Sequence, residues 1–212
     1  MLGALTDFDH QCVVHRLAGE RAVESLADSL GLTGAQRTEF IARTGAEALA
    51  KILLVDPFER RLTGSTPHGS PTRFSDGTFP VFYGAEARET SEEEIGYHLG
   101  DDGRRDPTKR KTRYMRVFRC DFTGKMIDLR PKKVEWEWLT SQATCSPDCQ
   151  RLGKQASHAK RPDGFQAPSA RHGGGTTLPI FQKGALSDPV VYGTTVFEFD
   201  AETSKANWRR ED

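Results

Sequence analysis

Taken for period alone, the chain mixes short apolar runs of strand spacing with longer stretches of helical spacing. Cys12-Val13-Val14-His15-Arg16-Leu17 is apolar and β-branched, which predicts a first strand. Val23, Leu26, Ala27 and Leu30 recur at i, i+3, i+4 and i+7 and stop at Gly31. After a cap at Thr33, Phe40, Ile41, Ala48, Leu49, Ile52 and Leu53 keep the helical period as far as Asp56-Pro57. Phe58 to Pro71 reads as a loop. The run Phe79-Pro80-Val81-Phe82-Tyr83 lies between Asp76-Gly77 and Gly84 and predicts a strand, and the acids from Glu89 to Glu94 open a helix, where carboxylates meet the positive end of its dipole.

Further on, Gly100 to Thr112 reads as a charged linker, Tyr114 to Cys120 as a strand, and Lys125–Leu129 and Val134–Leu139 as two short strand pieces. Trp136 and Trp138 would share one face of the second piece and enter the core. Gln150 to Lys160 suits a helix, Pro162-Asp163-Gly164 a turn, Thr177–Gln182 and Val190–Phe199 two strands, and Glu202 to Asp212 a polar tail that frays. The expected fold is α+β, one domain over 1–212, with a β-rich core and helices around it.

Composition narrows the class. The 212 residues carry 30 basic and 30 acidic side chains, so no global field draws the chain to nucleic acid or membrane, and an anionic ligand must be held by local charge. The Lys109-Arg110-Lys111 cluster follows acids that cancel it and reads as a solvated loop. No apolar run reaches transmembrane length, and Asp7 comes too early for a signal peptide, so the expected location is cytoplasmic. Four cysteines are too few for a disulfide framework. Cys120, Cys145, Cys149 and His158 lack the tight paired spacing of structural zinc, so the cysteines read as small buried hydrophobes and no metal site is expected.

The strand-to-helix unit holds the densest chemistry. It brings Arg73, Tyr83, Glu94 and His98 within reach of one cleft, Glu94 and His98 sharing a helix face at i, i+4. A guanidinium, a phenol, a carboxylate and an imidazole suit an anionic substrate with a sugar ring, although the same spacing also fits a surface helix with solvated acids. A second block, Ala167-Pro168-Ser169-Ala170-Arg171 followed by Gly173-Gly174-Gly175, offers a hydroxyl, a guanidinium and glycine-freed amides as a phosphate cradle. Its spacing is neither a Walker loop nor a dinucleotide fingerprint.

Arg73-Phe74-Ser75-Asp76-Gly77, Val81-Phe82-Tyr83-Gly84-Ala85, Glu89-Thr90 with Glu94, and the distal Ala167–Arg171 block before Leu178-Pro179-Ile180-Phe181 together resemble the RES-domain family, named for its Arg, Glu and Ser. The resemblance implies a fold related to ADP-ribosyltransferases and a toxin that degrades NAD+ at the nicotinamide–ribose bond, by phosphorolysis or hydrolysis. Inorganic phosphate is then the alternative co-substrate to water, and no cofactor is needed. The catalytic set it implies is Arg73, Tyr83, Glu94 and Ser169, with Glu93 as the alternative if the helix is one residue out of register. Arg16, at the exit of the first strand, would bind phosphate with Arg171, and His98 would orient Glu94, bind phosphate or simply pack. The family's compact members have less chain around 20–56, so these helices read as an insertion that packs on the core or presents a surface to a partner or a homo-oligomer. An antitoxin or immunity protein is the implied partner. The competing readings are an ADP-ribosyltransferase acting on a macromolecule and a non-catalytic NAD-binding module.

Overall fold

The structure, a computed structural model, describes residues 2–19, 27, 30–59, 71–105, 112–143, 145–200 and 205–211. Its axis is β3 (Thr112–Asp128), the longest strand, which pairs along nearly its whole length with β1 (Asp7–Gly19), from Asp7↔Ile127 to Gly19↔Met115. On its other edge β3 takes β6 (Leu186–Asp200) antiparallel and then β4 (Gly164–Pro168) parallel. β4 pairs with β5 (Thr176–Ile180), β5 with β2 (Phe82–Ala85), and β2 returns to β1. Five strands therefore close into a ring, while β6 and β7 (Lys205–Glu211) run on from β3. The ring is sewn most lightly between β1 and β2, which share the single pair His15↔Ala85.

Four strands of the ring contribute Val14, Phe82, Phe118, Phe122, Met126, Leu178 and Ile180 to one buried cluster. α1 (Gly34–Arg43) and α2 (Ala46–Glu59) follow β1, and Leu53 and Leu54 of α2 close this cluster. β2 reaches β1 closely because position 84 has no side chain: a Cβ on Gly84 would lie 2.1 Å from Val14 Cγ1. A second cluster, with Phe74, Phe79, Leu139, Leu152, Phe165 and Phe181, lies under α4 (Pro147–Ala159). The third packs Leu17, Met115 and Val117 beneath Ile95 and Leu99 of α3 (Arg88–Arg105) and Trp208 of β7.

The α+β class read from the sequence is the observed one, with seven strands in a mixed sheet and four α-helices among the described residues. Several boundaries differ for identifiable reasons. The helix read at 23–30 falls outside the described residues except for Ala27 and Leu30, as do positions 60–70 of the loop before Pro71 and 106–111 of the charged linker. The long helical period after Thr33 is two helices split at Thr44-Gly45, and α2 runs through Pro57 to Glu59, with Phe58 stacked on Phe82, ring centroids 6.1 Å apart. The strand expected at 79–83 is shifted to 82–85 by its pairing with β5, leaving Phe79 buried before it. The charged stretch Gly100–Arg105 continues α3 rather than leaving it.

Val134–Leu139 is not a strand. 3₁₀ turns at Arg130–Lys132 and Glu137–Thr140 replace it, with Pro131 opening the first, and Trp136 and Trp138 stack on each other 5.1 Å apart and half-buried. The tail expected to fray includes β7, held by β6 and by Trp208 against Phe197. None of the helices among the described residues is long and apolar enough to cross a membrane.

Candidate functional site

A cleft of about 250 Å³ opens beside the lightly sewn β1–β2 junction, at the small end for a ligand pocket. The six side chains reach it from five places along the chain: Arg16 from β1, Arg73 from the segment before β2, Tyr83 from β2, Glu94 and His98 from α3, and Arg171 from the loop after β4. The helix period explains why Glu94 faces the cleft. Of the three consecutive acids, Glu92 is buried on the side of β6 and β7, Glu93 is exposed, and Glu94 is half-buried at the cleft wall.

Glu94 is held by one oxygen. Its Oε1 accepts the Ser169 hydroxyl at 2.5 Å and the Ala170 amide at 3.2 Å. The second oxygen, Oε2, accepts no hydrogen bond among the described residues, so the carboxylate is fixed in direction while one of its acceptors stays available. Ser169 is itself filled: its Oγ accepts the amides of Arg171 at 3.1 Å and His172 at 2.9 Å, which directs its proton to Glu94.

In this structure the hydroxyl of the expected phosphate cradle is turned to Glu94. The amides of Arg171 and His172 donate to Ser169 Oγ, and that of Gly175 donates to His172 O at 3.0 Å. Ser169 thus holds Glu94 by its hydroxyl proton. Sequence spacing did not reveal this, because 75 residues separate the two partners.

The arginines differ from one another. Arg16 lies across the Phe82 ring, its guanidinium carbon 4.6 Å from the centroid. Arg73 turns its fork to the segment after Leu139, donating to Ser141 O at 2.8 Å and Ala143 O at 3.0 Å, with Leu139 O at 3.5 Å. Arg171 lies over Tyr97, 3.4 Å from its centroid, and donates to Gln142 through Oε1 and, at 2.8 Å, through the backbone O. Burial lowers the pKa of Arg171 without threatening its charge at neutral pH.

Gln142, which sequence reasoning missed, ties the cleft rim together, since its Nε2 also donates to Ala170 O at 3.1 Å and Tyr97 donates to its carbonyl at 3.3 Å. No local pattern marks it, because every partner is remote in sequence. Arg73 thus braces the rim as well as charging the cleft. Arg73→Lys replaces a three-carbonyl fork by an ammonium and is expected to cost about 1–3 kcal/mol. The corresponding fall in Tm is roughly 2–12 °C. Differential scanning fluorimetry checks it; an unchanged Tm would show that these carbonyl bonds add nothing.

Tyr83 is set from the other side. Its hydroxyl accepts the Phe74 amide at 2.9 Å and lies 2.7 Å from Thr72 Oγ1. Burial pushes its pKa well above the usual phenol value, with those two hydrogen bonds opposing the shift, so it serves as a neutral phenol. His98 is exposed on the rim, edge-on to Tyr97 at 5.6 Å and four residues from Glu94 along α3.

The cysteines read earlier as hydrophobes behave as such where buried. Cys120 lies in the ring cluster and Cys149 under α4, and burial raises the thiol pKa of Cys120 to about 12. Among the described residues no group of three or more His, Cys, Asp or Glu side chains is arranged to hold a metal ion.

The model of the RES domain matches residues 49–201, most of the chain. The chain belongs to the RES-domain family. The match takes in the Arg73, Tyr83, Glu94 and Ser169 positions, while β1 with Arg16 precedes it and β7 follows it. A search of curated proteins returns no match. The RES-domain core therefore supplies the carboxylate and the residues that orient it, and β1 completes both the ring and the cleft wall.

Proposed function

We propose that this RES-domain protein is an enzyme that breaks the nicotinamide–ribose bond of NAD+. The observation that carries the reading is the state of Glu94: one carboxylate oxygen pinned by Ser169 and the Ala170 amide, the other without a hydrogen bond among the described residues, in a cleft whose wall carries Arg16, Arg73 and Arg171. When the C–N bond breaks, its electron pair goes to the pyridinium nitrogen, nicotinamide leaves neutral, and positive charge develops on the ribose at the anomeric carbon. A fixed carboxylate oxygen facing that carbon stabilises the charge as it forms, without reorganising. Because the chain has no net charge to attract the dinucleotide, the local arginines are what favour its pyrophosphate. The neutral Tyr83 phenol and the Thr72 hydroxyl beside it supply hydrogen bonds to the ribose. An acceptor, water or inorganic phosphate, then adds to the anomeric carbon; water loses a proton in doing so.

Purified protein at micromolar concentration is expected to consume NAD+ and release nicotinamide in equal amounts, measured by chromatography. The same assay with and without inorganic phosphate separates ADP-ribose from its 1″-phosphate, and so names the acceptor. Absence of nicotinamide above a buffer control over hours would overturn the reading. Nicotinamide release with ADP-ribose attached to an added protein would replace it with ADP-ribosyl transfer.

A further inference from the structure

The helix that carries Glu94 grips the 169–175 loop at two points. Thr90, one turn before Glu94 and on the same face of α3, is buried, and its Oγ1 lies 2.8 Å from Nδ1 of His172. The loop closes on itself: the Ser169 amide donates to Gly175 O at 2.8 Å, the Gly175 amide to His172 O at 3.0 Å, and Gly174 takes φ +82° to complete the turn. It is packed hard against the Thr90–His172 contact. A Cβ at Gly175 would stand 2.6 Å from Thr90 Oγ1 and 2.7 Å from His172 Nδ1.

His172 therefore does two things at once. Its amide is one of the two donors that fill Ser169 Oγ and leave the serine proton for Glu94, while its ring is tied to the helix on which Glu94 stands. The separation of loop and helix sets the 2.5 Å contact between Ser169 Oγ and Glu94 Oε1, and the Thr90–His172 bond fixes that separation one turn away. Neither residue is among those lining the cleft.

We propose that Thr90 and His172 are positioning residues, which act through Ser169 to hold the Glu94 carboxylate in its working orientation. The kinetic half of this proposal rests on the NAD+-cleaving reading, and the structural half does not.

The test uses the full chain with Thr90→Val, which removes the hydroxyl, and Thr90→Ser, which keeps it. Hydrogen exchange at the Arg171 and His172 amides is expected to speed up about tenfold or more in Thr90→Val while β3 amides stay protected, and Thr90→Ser restores wild-type exchange. With NAD+, kcat should fall roughly 10–100-fold in Thr90→Val, the size typical of groups that orient a reactive side chain, with KM within about twofold. In a Ser169→Ala background the same change should cost less than about threefold, since the path it acts through is already cut.

Wild-type exchange in Thr90→Val, or a loss that is as large without Ser169 as with it, overturns the proposal. If the valine variant does not fold, His172→Ala breaks the same bond from the half-buried loop side and carries the same expectations. If the wild-type protein itself leaves NAD+ intact, the functional reading falls, and the exchange data alone decide the positioning role.

Discussion

Glu94→Gln should keep the fold and lower the rate of NAD+ loss by about 10²–10³, or about 2.7–4 kcal/mol of transition-state stabilisation. The amide oxygen of glutamine still accepts from Ser169 Oγ and the Ala170 amide, so the contacts that hold the side chain survive the change. What disappears is the negative charge on the open side, where the anomeric carbon turns positive. The companion variant is Glu93→Gln, one residue away and exposed, which should stay near the wild-type rate and within about 0.5 kcal/mol in stability. Steady-state kinetics on both, with circular dichroism as the fold control, decides between them. A dead Glu93→Gln beside an active Glu94→Gln would move the catalytic carboxylate by one position and refute the orientation described here.

The sequence brought Arg73, Tyr83, Glu94 and His98 to one cleft more readily than it showed what each of them touches. Tyr83, Glu94 and His98 sit on one strand and the helix after it, so local periodicity was enough to converge them. The task of Ser169 was not legible, because it depends on two backbone amides that point inward at its oxygen and on a carboxylate far off in the chain. Arg73 was read as a phosphate fork, yet the rim carbonyls it holds lie 66 to 70 residues away and leave no local trace. Thr90 is the instructive omission. Its i, i+4 relation to Glu94 puts it on the same helix face, but its partner His172 comes from a loop whose course no pattern predicts.

The same division holds for the fold. Strands with partners nearby in sequence or strong apolar alternation were found, while β7 was read as a fraying tail because its residues are polar and only β6 and α3 make it a strand. Its tertiary role is concrete: the Trp208 indole packs so close to α3 that a Cβ on Gly96 would meet it at 3.1 Å, and Arg210 reaches Glu89 and Glu92 at 2.8 Å each.

That contact makes Glu92 the acid whose loss should cost most in stability. Its side chain is 6 % exposed, and it takes Arg88 Nε at 3.0 Å, Arg210 at 2.8 and 3.3 Å, and the Thr195 hydroxyl at 3.2 Å, joining α3 to β6 and β7. Arg88 is nearly as buried, at 11 % exposed, and its other arm donates to Thr195 Oγ1 at 2.7 Å. Glu92→Ala takes this buried carboxylate away from the Arg88 guanidinium, and breaking a buried pair costs about 3–5 kcal/mol. For a chain of this size that corresponds to a Tm lower by roughly 6–20 °C in a fluorimetric melt. Replacing both members together, as Arg88→Met with Glu92→Leu, should recover much of the loss, because the cost comes from desolvating a charge that has lost its counter-charge more than from the missing bond. A Glu92→Ala protein melting within about 2 °C of wild type would mean that water reaches Arg88, and that the packing of Ile95, Leu99 and Trp208 with the remaining polar contacts of α3 is enough to hold it over the sheet.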